Sequence, residues 1–376
     1  MRIHFNGSPR PTVGVEVELQ IIDPESRNLV SGAPRILARG ADVDHIKPEL
    51  IASTVELNTD VCADIEAVRT DLTARFRSLM ALCDDLGYVL ASTGTHPFSR
   101  WAEQEITEKE RYHLLVNRCQ WPARRLMIFG LHVHVGIESG EKAIAVFNSL
   151  STYIPHLLAL SASSPYFEGE ETGLASCRVK IFESLPTAGL PYRLVNWAEF
   201  QRLMTTLVNA KAIESVREIW WDIRPHPDFG TIEVRICDGL STFDEIIAMT
   251  AMIQALAVWL GEQYDEGVYL PLQRYWIVRE NKWRAARWAL DADMIVDEEG
   301  RLEPLTEGID RLIESLEPVA KRLGSHADLI RVREMMKTGP SYARQRRVFA
   351  ETGDYKKVVE SVVKELRDSV PAPADS

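Results

Sequence analysis

The chain has 376 residues, 45% hydrophobic and 26% charged, with 43 Lys plus Arg against 55 Asp plus Glu and a net charge of −12. This is globular composition with ample length for a large core, and no basic block argues for nucleic-acid binding. Five scattered cysteines without a C-x-x-C fit neither a zinc knuckle nor a disulfide framework and suit a reducing cytoplasm.

The opening "MRIHFNGSPRPTVG" lacks the apolar core of a signal peptide. "VGVEVELQIID" reads as a strand and "DPESRNL" as the turn after it. Residues 32–48 read as irregular, and "STVELNTDV" as a second strand. Ile65, Val68, Leu72, Phe76, Leu79, Leu82 and Leu86 follow helical spacing, which predicts an amphipathic helix from Ala63 to Gly87. "YVLASTGTH" is a strand that runs into a loop, and the polar residues 101–125 are a lid or helix. "LMIFGLHVHVGI" is a strand with a glycine in its middle, followed by a helix over 141–160.

Residues 161–191 show no periodicity, and a loop of that length in a compact domain is usually functional. A helix is predicted over 196–218 and a strand, "GTIEVRICD", from Gly230. From Phe243 the chain reads as successive helices, broken near "DADMIVDEEGRLEP" and "MKTGP". The greasy run Ile246–Leu260 is too short to span a bilayer and reads as a buried helix. Residues 371–376 form a frayed, disordered tail. Strands first and helices later predict an α+β fold, one catalytic domain with a strand-rich region (11–240) fused to a helical one (243–368).

Four predicted strands share one pattern. Glu16 and Glu18, Glu56 and Asn58, His132 and His134, and Glu233 and Arg235 stand two apart, so each pair presents both side chains on one face. Val17, Leu57, Val133 and Val234 point the other way. Any one pair could be the wet side of an antiparallel sheet. Together they gather carboxylates and imidazoles without a lysine, and clustered carboxylates repel unless a cation lies among them. Oxygen-rich ligands without Cys favour Mg²⁺ or Mn²⁺. Glu49, seven residues before Glu56, reaches the same cluster if it lies on the loop leading in. Arg235, Arg224, Arg178 and Lys180 are candidates to meet phosphate oxygens. Trp220, Trp221, Pro225 and Pro227 would hold Asp222 and Arg224 rigidly beside the site. No Walker, Rossmann or G-x-S-x-G signature occurs. Two rivals remain: a zinc hydrolase built on His132 and His134, and a non-catalytic protein that keeps the sheet for assembly.

"GVEVELQIIDPESRNLV", "STVELNTDVC", "GLHVHVGI", the 161–191 stretch, "WDIRPHPDFGTIEVRICD", "ENKWRAARWALDAD" and "SYARQRRVFAETGDY" together resemble the carboxylate–amine ligase branch of the glutamate–cysteine ligase type 2 family, from about residue 11 to 367. The resemblance implies a glutamine synthetase-like funnel of curved antiparallel sheet with helices outside. It implies ATP and Mg²⁺ (or Mn²⁺), with Glu16, Glu18, Glu49, Glu56, His132 and Glu233 as metal ligands. Arg235 would face the phosphates and His134 would lie on the cofactor side, while Asn58 and Thr59 would touch substrate. The implied reaction is phosphorylation of a small-molecule carboxylate, glutamate in the family's usual case, and attack by an amine to give an amide. No membrane partner is expected, and a homodimer stays open. Here "GVEVE" stands where many relatives have "GVEEE", which changes only the inward position.

Overall fold

The structure is a computed structural model that describes residues 3–40, 42 and 44–372. Its centre is a seven-stranded antiparallel sheet. The strands are β1 (Val13–Ile22), β2 (Ile46–Pro48), β3 (Thr54–Asn58), β4 (Val89–Ala91), β5 (Gly130–Gly136), β6 (Ile223–His226) and β7 (Thr231–Asp238). The order across the sheet is β6-β7-β5-β1-β3-β2, and β4 continues the β5 side of β1 beside Gln20–Ile22. A register shift between Val234 and Cys237 bends β7 against β5.

The alternation read in β1 is physical. Val13, Val15, Val17 and Leu19 are buried, while Gly14, Glu16 and Glu18 are only partly covered. The back face, with Leu57, Val133 and Val234, joins one apolar core with most of the helices, while a second cluster takes in Tyr112, Val359 and Val362. The helices are α1 (Ile65–Leu86), α2 (Glu110–Cys119), α3 (Gly140–Leu150), α4 (Ile154–Ser161), α5 (Trp197–Asn209), α6 (Phe243–Asp265), α7 (Tyr275–Trp288), α8 (Leu305–Arg322), α9 (His326–Thr338), α10 (Ser341–Thr352) and α11 (Tyr355–Ser369). Each fully buried aliphatic or Phe side chain there contributes roughly 1.5–3 kcal/mol of transfer free energy. A one-residue slip of β1 would put Glu16 and Glu18 into that core, so the register is strongly specified.

α1 begins where the Asp64 carboxylate accepts a hydrogen bond from the Ala67 amide (2.8 Å) and ends at Gly87 in a left-handed conformation (φ 76°). α6 has 23 residues, long enough by length and composition to cross a membrane, yet it is mostly buried in the core. The reason to read it as a core helix is therefore its burial rather than its length.

Other expectations need correction. Residues 32–48 hold a short helix, Ala33–Ala38, and the edge strand β2. The helix expected over 196–218 ends at Asn209; Lys211 turns left-handed (φ 57°) and a single 3₁₀ turn follows at Val216–Glu218. The aperiodic stretch 161–191 contains a helical turn, Arg178–Phe182, and two-residue strands. Residues 373–376 of the expected frayed tail lie outside the described residues.

Candidate active site

Strand pairing brings the polar positions together. Glu16 lies opposite Asn58 on one side and His132 on the other; Glu18 faces Glu56, and Glu233 faces both His134 and Arg224. Because side chains opposite each other in an antiparallel pair share a face, one surface of the sheet carries all of these groups.

Glu16 is the hub. Its Oε2 accepts a hydrogen bond from His132 Nδ1 (3.1 Å), and its Oε1 stands 3.5 Å from His134 Nε2. Burial works against its charge, yet the two imidazoles hold the Glu16 carboxyl well below its usual range. His134 Nδ1 meets Thr231 Oγ1 at 3.0 Å. Its Nε2 is buried without a hydrogen-bond partner among the described residues, with Glu233 Oε1 3.9 Å away. Burial acts to lower the His134 ring, but Glu233 and Glu16 raise it above normal. His132 is lowered by burial and by the Arg235 charge.

Carboxylates crowd the other half of the face. Burial, followed by repulsion from Glu16, Glu49 and Glu18, pushes Glu56 well above its usual range. Asn58 Nδ2 donates to Glu56 Oε1 (2.9 Å). Glu18 and Glu49 are also raised by burial; Glu49 adds to the rise at Glu18, and Glu16 to that at Glu49. Glu18 Oε2 accepts from the Gly130 amide at 2.5 Å. A Cβ on Gly130 would lie 2.2 Å from Arg178 Nη2, so the glycine lets that guanidinium lie against β5.

Two triads have ligand atoms within 4.8 Å of one another: Glu16, His134 and Glu233, and Glu16, Glu56 and His132. These oxygen and imidazole donors fit divalent cations. The orphaned His134 Nε2 and the mutual repulsion of Glu56, Glu18 and Glu49 are what bound cations would relieve. Thr231 fixes the ring that offers Nε2, as supporting groups do at metal sites. His132 and His134 fall in different triads, against their gripping one zinc together. Glu18 and Glu49 belong to neither triad but stand beside them in charge contact.

The arginines differ from expectation. Arg224 donates through Nε (2.8 Å) and Nη2 (2.6 Å) to Glu233 Oε2, and its Nη1 ends on the carbonyls of Arg217 (2.8 Å) and Ile219 (3.1 Å). So saturated, it holds Glu233 in place and is not free to meet phosphate. Arg235 Nη1 pairs with Glu233 Oε1. Burial opposes the charge on Glu233, but Arg224 and Arg235 hold its carboxyl far below normal. Arg178 is buried and spends its guanidinium on the carbonyls of Ile236 and Arg235, 3.3 Å each. Lys180 turns to Glu183 (2.6 Å) rather than to the cluster. Asp222 is taken by the buried Lys282 (2.5 Å). The Thr59 hydroxyl accepts from the Val15 amide (3.0 Å) and so closes the β1–β3 register instead of facing the site.

Three features beside the site escaped the sequence. Thr231 and the His226–Phe229 stack (4.1 Å, 8°) flank His134. Arg111, 65% exposed on α2, stands 3.9 Å from Glu49 Oε1. The polarity of residues 101–125 was the signal for the last; nothing local marked the other two.

An antiparallel sheet with helices packed on its back is the fold of the glutamine synthetase-like ligases. The chain belongs to glutamate–cysteine ligase family 2, whose pattern it matches over residues 12–361, and its class of activity is ATP-dependent amide-bond formation. It is 46% identical to a Frankia casuarinae protein provisionally named glutamate–cysteine ligase 2-1, covering 99% of each chain. It is 44% identical to a Thermobifida fusca protein provisionally named glutamate–cysteine ligase 2, covering 100% of this chain and 96% of that one. Among solved structures it is similar to the Francisella tularensis glutamate–cysteine ligase in complex with AMP, with TM-score 0.69 and 13% identity over 99% of this chain and 91% of that one. The bifunctional glutathione synthetase of Pasteurella multocida gives TM-score 0.70 and 13% identity over 96% of this chain and 53% of that one. At such identities the likeness is one of fold.

Proposed function

We propose that the chain acts as a single catalytic unit that joins the γ-carboxylate of glutamate to the amine of cysteine or a related amino compound, releasing ADP and phosphate. The observation that carries this reading is the register that sets Glu16 opposite His132 and within reach of His134 and Glu233 on one sheet face. The names of the relatives support glutamate and cysteine as the substrates.

Glu16, Glu56, His132, His134 and Glu233 would hold Mg²⁺ or Mn²⁺, with Glu18 and Glu49 adding charge at their edge. Such cations neutralise charge between the phosphates of a nucleotide. Arg235, once it swings from Glu233, offers a planar fork to the transferring phosphoryl group, and Arg224 keeps Glu233 fixed meanwhile. Arg111 is placed to close over the same end from α2. Asn58 orients Glu56 and lies beside the substrate carboxylate in this reading. The carboxylate oxygen takes the γ-phosphoryl group, the amine attacks the acyl phosphate, and phosphate leaves with the oxygen it received. All five cysteines are free thiols, in keeping with a cytoplasmic enzyme.

The test is ATP-dependent phosphate release across a panel of amino acids and amines, with mass-spectrometric identification of products. A γ-glutamyl amide formed only with ATP and Mg²⁺ is expected. Product formation without ATP, or with Zn²⁺ alone, overturns the proposal.

A further inference from the structure

A cavity of about 280 Å³ opens on the helical side of the molecule, lined from the start of α4, α6, α7, the Asp293–Ile295 and Leu302–Pro304 hairpin, and α8. It is remote in kind from the carboxylate face: α6, which supplies Trp259, packs its buried residues into the core behind β5. The volume is at the small end of ligand sites.

Its walls are chemically divided. Trp259 and Tyr153 meet edge to face (6.4 Å) and form an aromatic side with Leu312. His156 lies 5.6 Å from the Tyr153 ring, with a buried Nδ1 that has no hydrogen-bond partner among the described residues. Gly308 sits within α8, where glycine is disfavoured relative to alanine. A Cβ there would stand 3.2 Å from His156 Nε2 and 3.5 Å from Glu303 Oε1, so the missing side chain is what leaves room beside His156 and the Glu303–Arg311 pair. Glu303 is paired with Arg311, which is 57% exposed. The amides nearby are spent: Asn281 clasps the Ile295 backbone in both directions (2.8 and 2.9 Å), and Gln273 holds the Val296 carbonyl (3.1 Å). They fix the hairpin, so the cavity is preformed.

We propose that this cavity binds a free α-amino acid with an apolar or aromatic side chain. Arg311 offers a fork for the carboxylate, and Glu303 accepts from the ammonium. Burial pushes the His156 ring down to about 4, so it is neutral and keeps a lone pair for the same ammonium. Trp259 and Tyr153 cover the side chain. A cation and an anion held adjacent at the rim of an apolar cavity match a zwitterion's two ends and its tail. An anion alone would leave Glu303 opposed, and an amine alone would leave Arg311 opposed.

The experiment is isothermal titration of the full chain, without nucleotide or metal, using L-phenylalanine and L-leucine. The probes 3-phenylpropionate and 2-phenylethylamine each lack one charged end. One saturable equivalent is expected for at least one zwitterion, with each truncated probe at least tenfold weaker. Arg311→Gln and Glu303→Gln should each weaken binding at least tenfold while melting within a few degrees of the parent. Should Glu303→Gln fail to fold, the surface change Arg311→Gln decides alone. Glu16→Gln, on the far face, should leave this binding unchanged. Absence of saturable binding, equal binding of the truncated probes, survival in Arg311→Gln, or loss in Glu16→Gln overturns the proposal.

Discussion

Arg224 grips Glu233 Oε2 with two hydrogen bonds, 2.8 Å from Nε and 2.6 Å from Nη2, while Arg235 pairs with the other oxygen of the same carboxylate. One buried anion therefore has two cations, one locked to backbone carbonyls and one held, among the described residues, by the pair itself. The first is a strut; in the proposed mechanism the second would leave if a metal ion took its place.

Arg224→Met removes the strut and leaves Glu233 buried with half its compensation. Breaking a buried pair from one side costs about 3–5 kcal/mol, and Arg235 should keep the loss near the lower end. Added Mn²⁺ should recover part of it by restoring positive charge at Glu233. Urea denaturation with and without Mn²⁺ checks this; a loss indifferent to metal would contradict the strut role.

Arg235→Lys keeps the charge but loses the planar fork. It should lower kcat by roughly 10²–10³, as expected for one transition-state donor, and excess Mn²⁺ should not restore it. Glu233→Gln should weaken metal binding first, and excess Mn²⁺ should restore part of its turnover. Steady-state kinetics over a metal series separates the two; identical responses would show the roles to be wrongly divided.

Glu16→Gln strikes both triads at once and should abolish turnover while the fold survives, since the amide keeps the side chain's shape and relieves Glu56 even as it gives up the charge that pairs with His132 and His134. Circular dichroism and metal titration are the measurements. Activity near that of the parent would refute the shared hub.

His96 governs an acid limb independent of catalysis. Its Nδ1 accepts from the amides of Phe98 (3.3 Å) and Ser99 (2.9 Å), and its Nε2 donates to the Arg27 carbonyl (2.9 Å), so no site is left for a second proton. Burial lowers the ring from 6.5 to about 3. Between those values the unfolded chain binds a proton that folded His96 refuses, so stability falls as pH drops through this window. The slope is about 1.4 kcal/mol per pH unit for one such group. Denaturant midpoints from pH 7 to 4 should fall in the parent and fall less steeply in His96→Gln.

Much of the site was legible because a strand's period of two leaves a written trace. Glu16 and Glu18 flank Val17, and His132 and His134 flank Val133, so alternation alone put the polar groups on one face. The role of Arg224 left no such trace. Its carbonyl partners at Arg217 and Ile219 exist only because the helix before them stops at Asn209, where propensity suggested it would continue. Lys180 went astray similarly: within an aperiodic stretch no pattern could show that Glu183 lies one helical turn away. Ala33–Ala38 and β2 were too short to write a period at all.

In the proposed reaction this face directs ATP's γ-phosphoryl group onto a substrate carboxylate before an amine displaces it. Glutamate carrying ¹⁸O in its γ-carboxylate, incubated with the protein, ATP, Mg²⁺ and cysteine, tests it by ³¹P NMR and mass spectrometry of the products. The account predicts ADP, a γ-glutamyl amide, and inorganic phosphate carrying one ¹⁸O for each amide formed. AMP with pyrophosphate, or phosphate free of label, would contradict it.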